Sequence, residues 1–177
     1  MKKLLILDID ETMLFATENQ LSHAHDFVAN QYFVYIRPYL EEFIDFAFQN
    51  FKVAVWTSSN EIYANYIVKK IFEQTDLLEF IWARKRCVSK FNPDTWEYEY
   101  IKDLKKIKRK GFELESVIMI DDTPKKLCRN YGNLVRVSPF MGDQRDEELR
   151  YLMAYLENLK HVPNIRCVEK RGWKNRL

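Results

Sequence analysis

Short apolar runs alternate with amphipathic segments along most of the chain. Five of these runs predict core strands, and four of them are continuous, as is typical of strands buried on both faces of a sheet. They cover residues 4–7, 53–56, 80–82, 117–120 and 134–137. Strands that alternate with helices predict an α/β, Rossmann-like fold, with a parallel sheet and helices on both of its faces.

The segments between these runs carry helical patterns and turn signals. The predicted helices begin near residues 38, 62, 100 and 144 and end near residues 47, 71, 110 and 159. Residues 32–36 predict a further strand, and residues 15–31 predict a loop. The pattern breaks between residues 88 and 99, around Asn92-Pro93-Asp94, which predicts a small insertion after the third core strand.

Length and composition indicate one globular domain. The chain has 177 residues, of which 47% are hydrophobic and 31% are charged. We expect a single domain over residues 1–160 and a basic tail over residues 161–177. The net charge of +2 argues neither for nor against nucleic acid. The tail, with Trp173 among its basic residues, could contact nucleic acid or an acidic partner, or pack its tryptophan on the body.

Two features bear on where the protein works. Its three cysteines are widely spaced and include no CxxC pair, which fits a reducing compartment. The first apolar run stops at Asp8 after four residues, whereas an export signal needs about 7–15. We therefore expect a cytoplasmic protein, or a nuclear one in a eukaryote, that is not secreted and has no membrane partner.

Candidate chemistry lies where the predicted strands end. Asp8 and Asp10 follow the first strand, Thr57 follows the second, and Asp121-Asp122 ends a later one. Ligands bind at the carboxyl ends of parallel strands, so these side chains are expected to meet. Carboxylates crowded together require a cation, and Mg²⁺ is the ion that takes a few carboxylates together with water and phosphate oxygens.

The spacing of Asp8 and Asp10 suits a two-residue mechanism. Alternate residues of an extended chain point the same way, so both side chains can face one substrate. One can then act as a nucleophile and the other as a proton donor.

These residues also carry a family resemblance. The segment from Asp8 to Leu14, DIDETML, resembles the DxDxT signature of the haloacid dehalogenase superfamily. More narrowly, it is similar to the DLDETL form of the FCP/SCP branch, the phosphatases that act on the C-terminal domain of RNA polymerase II. Four further segments resemble that branch in the same order, across residues 3–158. They are Arg37-Pro38, the VWTSS of residues 55–59, the YIKDL of residues 100–104 and the IDDTP of residues 120–124.

The resemblance implies roles for the carboxylates. Asp8 would attack phosphorus and become an aspartyl phosphate, and Asp10 would protonate the leaving oxygen and then activate water. Mg²⁺ would be held by the carboxylates of Asp8 and Asp122 and by the backbone carbonyl of Asp10. Asp121 would either bind the ion through water or position Lys102.

The resemblance also implies how substrate is held. Thr57, Ser58 and Lys102 would bind the phosphate oxygens. Arg84 matches an arginine that contacts substrate in the small polymerase-tail phosphatases, although a surface salt bridge explains it nearly as well. Residues 88–99 are longer than the corresponding segment of those enzymes, and residues 15–31 show no match to their peptide pocket.

Three functions remain open. No large cap fits between Leu14 and Arg37 or between Thr57 and Lys102, so an open site is expected. An open site favours phosphoserine or phosphothreonine in a phosphoprotein. The alternatives are a phosphatase of small phosphate esters, nucleotides or nucleic-acid ends, and a catalytically silent binding protein on the same fold.

Overall fold

A parallel five-stranded sheet forms the centre of the protein in the computed structural model, which describes residues 2–177. The strand order is β10-β9-β1-β5-β6. The strands are β1 (Leu4–Leu7), β5 (Lys52–Trp56), β6 (Ile81–Trp82), β9 (Val117–Asp121) and β10 (Leu134–Arg136). The predicted α/β fold with a parallel sheet is confirmed.

The sheet is buried on both faces. Leu5 and Leu7 of β1 belong to one apolar cluster, while Leu4 and Ile6 belong to the other. All four side chains are inaccessible to solvent. Because side chains alternate across a strand, only a continuous apolar run can fill two cores at once.

Helices cover both faces of the sheet. They are α1 (Leu40–Asn50), α2 (Glu61–Ile71), α3 (Lys105–Lys108) and α4 (Glu148–Leu159). Helices α1, α2 and α4 contribute to the first cluster, whereas the second receives Ile107 of α3 and residues of short 3-10 turns. The side chain of Asn60 caps α2 by accepting a hydrogen bond from the Tyr63 amide at 2.9 Å, which fixes where α2 begins beside β5.

The prediction of a loop over residues 15–31 holds for residues 18–26 and is wrong on either side of them. Strands β2 (Leu14–Thr17) and β3 (Phe27–Ala29) both pair antiparallel with β4 (Tyr32–Ile36). Two of these strands have only three or four residues, too few for a periodic signal, and their pairing with β4 decides their conformation. Among the described residues, the chain between β1 and β5 forms this small sheet and α1, and no large cap domain.

The insertion after β6 is a β-hairpin of β7 (Val88–Asn92) and β8 (Glu97–Ile101). The prediction of a helix over residues 100–110 is wrong, because β8 extends to Ile101 and α3 is a single turn. Pairing with β7 holds Tyr100 and Ile101 in a strand and so delays the start of the helix. The closing helix also begins later than predicted, at Glu148, whose amide donates to Asp146 Oδ1 at 2.9 Å.

Arg37 ties the small sheet to the core. Its guanidinium is completely buried and donates to both carboxylate oxygens of Asp146, at 2.8 and 2.9 Å. It also donates to the carbonyls of Thr12 and Ser138 at 3.0 and 2.9 Å. These bonds satisfy the buried charge and fix the loop that follows Asp8.

Residues 161–177 fold back onto the body. Ile165 is buried in the first cluster, and the Trp173 ring packs 5.2 Å from the Tyr155 ring. Trp173 Nε1 also donates to the Arg136 carbonyl at 2.6 Å. Within residues 2–177, no helix has the length and apolar character needed to cross a membrane.

Candidate active site

Three carboxylates meet at the carboxyl edge of the sheet. Asp8 directly follows β1, Asp121 ends β9, and Asp122 comes next. Strands β1 and β9 are parallel neighbours with Leu7 opposite Ile120, so their ends coincide. One oxygen from each carboxylate lies within 4.8 Å of the other two. These three side chains meet as the strand-end argument predicted, and all three residues are buried.

Lys102 bridges two of these carboxylates. Its fully buried ammonium group donates to Asp8 Oδ1 and to Asp121 Oδ2, both at 2.7 Å. Burial by itself would raise the pKa of Asp8, but the charges of Lys102 and Lys126 outweigh it and hold that pKa below its usual value. Burial and the neighbouring Asp8 raise the pKa of Asp121 to about 6.

A second lysine faces the same carboxylates. Lys126 donates to Asp8 Oδ2 at 3.0 Å and lies 3.6 Å from oxygens of Asp121 and Asp122. Its pKa is raised, because the three carboxylates outweigh its burial. Sequence reasoning missed Lys126. The available signal was its position four residues after Asp122, where a 3-10 turn over Pro124–Leu127 directs it back to the site.

Asp10 lies outside the three-carboxylate cluster, and its hydrogen-bond partners are Thr57, Ser59 and Tyr63 of α2. Its Oδ2 accepts from the Ser59 hydroxyl at 2.6 Å and from Thr57 Oγ1 at 3.5 Å, and its Oδ1 accepts from the Tyr63 hydroxyl at 2.7 Å. Burial raises the pKa of Asp10 despite these hydrogen bonds. Tyr63 and Ser59 are hydrogen-bond partners of Asp10 that sequence reasoning did not identify.

The structure brings the other predicted side chains to the same edge in different ways. Thr57 is buried, and its Oγ1 accepts from the Ser59 amide at 3.0 Å. Ser58 contributes its carbonyl, which accepts from Arg84 Nε at 2.7 Å. Arg84 is exposed at the mouth of the site.

A cavity of about 240 Å³ opens beside Asp10. Its polar lining includes Glu11, Tyr32, Ser59, Tyr63 and Arg84. Burial, followed by the charges of Asp10 and Asp122, raises the pKa of Glu11 to about 7. A larger cavity of about 1040 Å³ lies between the tail and Pro124, but none of the four aspartates lines it. The smaller cavity is therefore the one that adjoins the candidate chemistry.

The carboxylate cluster suits a hard cation. Asp122 Oδ1 is buried and accepts no hydrogen bond, and the Lys126 ammonium group lies 3.6 Å from it. A buried carboxylate oxygen without a hydrogen bond is costly, and a directly bound cation would compensate it better than this longer ion pair. Together with Asp8 and Asp121, Asp122 offers the oxygen ligands that Mg²⁺ prefers.

Comparisons with known proteins agree with this arrangement. The sequence is 30% identical over 169 residues to "CTD small phosphatase-like protein 2" of Dictyostelium discoideum, covering 92% of this chain and 28% of that protein. It is also 30% identical over 185 residues to a CTD phosphatase-like protein of Invertebrate iridescent virus 3, covering 90% of this chain and 97% of that one. The chain thus spans about a quarter of the first relative and nearly all of the second.

The fold matches solved phosphatases. The fission yeast RNA polymerase II CTD phosphatase Fcp1 superposes with a TM-score of 0.61 at 16% identity, over 98% of this chain and 62% of that one. At that identity the match concerns the fold alone. The family model for "NLI interacting factor-like phosphatase" matches residues 3–166, which include every candidate site residue discussed above. The chain therefore belongs to the NLI interacting factor-like phosphatase family.

Proposed function

We propose that this chain is a Mg²⁺-dependent phosphatase that hydrolyses phosphoserine or phosphothreonine in proteins through an aspartyl-phosphate on Asp8. The observation that carries the proposal is the buried Asp8 carboxylate, held by Lys102 and Lys126 beside Asp121 and Asp122. In a member of a phosphatase family, this supports Asp8 as a nucleophile among the charges that phosphoryl transfer requires.

In the first half-reaction, an Asp8 oxygen attacks phosphorus. The bond between Asp8 and phosphorus forms while the bond from phosphorus to the serine or threonine oxygen breaks, and Asp10 delivers its proton to that oxygen. The raised pKa of Asp10 supports this role, because an acid must hold its proton until it is used. The hydroxyls of Ser59 and Tyr63 hold the Asp10 carboxylate in place.

In the second half-reaction, water attacks the aspartyl phosphate. Asp10, now ionised, takes a proton from that water, and the bond between Asp8 and phosphorus breaks to release phosphate and restore the free carboxylate. Thr57, Ser58 and Lys102 would hold the phosphate oxygens through both steps. The buried position of Lys102 supports this role, because its attraction for a phosphate oxygen is strongest where water is excluded.

Asp8, Asp122 and the backbone carbonyl of Asp10 would hold Mg²⁺. Asp121 would support the site mainly through Lys102, to which it accepts a hydrogen bond at 2.7 Å. When bound, the ion would neutralise negative charge that develops on the phosphate oxygens. Arg84, at the mouth of the cavity, would contact the substrate outside the phosphate.

Hydrolysis of para-nitrophenyl phosphate with Mg²⁺ and with EDTA tests the chemistry. We expect turnover that falls by roughly 10³-fold or more in EDTA, because the clustered carboxylates would then repel the phosphate dianion. Turnover that EDTA leaves unchanged would contradict the metal dependence. A folded wild type that hydrolyses neither this ester nor any phosphopeptide would favour a catalytically silent binding protein.

Lys126 provides a second test of the metal site. Its ammonium group lies close to the Asp8 and Asp122 oxygens that would bind Mg²⁺, and its positive charge would repel the ion. Lys126→Met is therefore expected to tighten Mg²⁺ binding roughly tenfold. Isothermal titration with Mg²⁺ measures the change. Lys125→Met is the matched control, because Lys125 is exposed and pairs with Glu99 instead. An unchanged dissociation constant for Mg²⁺ in Lys126→Met would show that the ion binds elsewhere.

A further inference from the structure

The polar cavity beside Asp10 continues onto the β7–β8 hairpin. Arg84 lines the cavity, and its guanidinium carbon lies 4.8 Å from the centroid of the Tyr100 ring. Tyr100 belongs to β8, two residues before Lys102. The hairpin therefore begins at the mouth of the candidate active site and leads away from it.

One face of this hairpin is aromatic. In the antiparallel pairing, Phe91 lies opposite Tyr98 and Ser89 lies opposite Tyr100. Cross-strand partners and alternate residues share a face, so Tyr100, Tyr98 and Phe91 form a row. The Phe91 ring centroid lies 5.5 Å from that of Tyr98 and 6.0 Å from that of Trp96, which extends the row to the hairpin tip.

These side chains are unusually open to solvent. Trp96 is 82% exposed, Tyr98 is 62% exposed and Phe91 is 43% exposed. A scattered surface aromatic needs no explanation, but here Phe91 packs against both Trp96 and Tyr98, so the three form a contiguous apolar patch. Tryptophan and tyrosine are the residues that contribute most to binding when a partner covers them.

The charge of the hairpin indicates the kind of partner. Residues 88–101 carry one cation, Lys90, against three carboxylates, Asp94, Glu97 and Glu99, which gives a net charge of −2. By the same alternation, Lys90, Glu97 and Glu99 lie on the face opposite the aromatic row, and Glu99 pairs with Lys125. The aromatic row therefore carries none of the charged residues of the two strands, whereas a single-stranded nucleic acid is normally held by a basic groove with stacking aromatics. A polypeptide with apolar side chains suits this uncharged aromatic face.

We propose that the face formed by Phe91, Trp96 and Tyr98 binds an extended segment of the phosphoprotein substrate, through proline or aliphatic side chains that flank the phosphorylated residue. Trp96 lies four residues from Tyr100 along the strand, a distance of about 13 Å at about 3.3 Å per residue. The recognised side chains are therefore about four or more residues from the phosphate. This inference rests on the proposed phosphatase function and adds how a protein substrate is selected.

The test compares Trp96→Ala/Tyr98→Ala with the wild type on three substrates. They are para-nitrophenyl phosphate, a phosphoserine peptide of about three residues, and one of about thirteen with proline and leucine on both flanks. We expect kcat/KM for the long peptide to fall roughly tenfold, with the other two unchanged, because only the long peptide reaches the aromatic face. Tyr151→Ala removes an exposed aromatic on α4 and should change none of the three.

Four other results would each overturn the inference, and each would point to a different explanation. Equal losses on all three substrates would mean that the hairpin supports the reacting groups through Tyr100 and does not dock peptide. An unchanged kcat/KM for the long peptide would mean that the face binds no substrate. Tight binding of an oligothymidylate that depends on Trp96 would identify a nucleic-acid surface instead. A wild type that hydrolyses none of the three would overturn the proposed function, and this inference with it.

Discussion

Asp8→Asn is expected to abolish turnover, with kcat reduced by roughly 10⁴-fold or more. The amide cannot form the acyl phosphate, and no other described carboxylate occupies its position between Lys102 and Lys126. The folded state should survive the change. Asn can still accept the hydrogen bond from Lys102, and Lys126 retains Asp121 and Asp122 at 3.6 Å.

The measurement is kcat toward para-nitrophenyl phosphate at saturating Mg²⁺, beside thermal unfolding of the same preparations. Asp45→Asn is the matched control, because Asp45 is an exposed carboxylate on α1. It should behave as the wild type in both measurements. Turnover of Asp8→Asn within tenfold of the wild type would remove Asp8 as the nucleophile.

Lys102→Met should lose both stability and activity. The side chain is fully buried, and its removal breaks two buried ion pairs and leaves Asp8 and Asp121 with the more distant Lys126 as their remaining shared cation. Breaking a buried ion pair by removing one partner typically lowers the free energy of unfolding by about 3–5 kcal/mol. Because the same ammonium group would hold the phosphate, kcat should also fall, by roughly 10²-fold or more.

Urea unfolding in EDTA isolates the stability effect from any metal contribution. Adding Mg²⁺ should restore part of the loss in Lys102→Met, since ligand at about 100 times its dissociation constant contributes about 2.7 kcal/mol. Lys105→Met is the control, because Lys105 lies three residues further on and is exposed. Unfolding of Lys102→Met at the wild-type urea concentration would show that Lys102 is not the counter-ion of this cluster.

The sequence was sufficient for the core of the fold. The runs at β1, β5 and β9 are continuous and apolar, and only strands buried on both faces need that pattern. Parallel neighbouring strands have their carboxyl ends at the same edge of the sheet. The close approach of Asp8, Asp121 and Asp122 could therefore be predicted from the sequence. Recognition of the family added roles for these residues, which remain proposals.

Short elements and borderline segments could not be predicted in the same way. Strands β2 and β3 and the end of β8 are strands because they pair with β4 or β7. Their own residues have too weak a preference for the extended conformation to predict it. The basic segment after Ile101 carries strong helix formers, yet it forms only the single turn of α3.

The parallel sheet and the carboxylates at its edge could therefore be predicted from the sequence, because both follow from local periodicity and a general rule of topology. The charges and hydroxyls that surround these carboxylates could be identified only in the folded protein. Lys126, beside Lys125 in the sequence, is typical of a surface residue, and Tyr63 is typical of a core aromatic of α2, but the 3-10 turn and the helix cap direct them to Asp8 and Asp10. Hydrogen-bond and ion-pair partners are selected by distances of about 3 Å. Residues that are 53 or 118 positions apart in the chain carry no local signal that they will come so close.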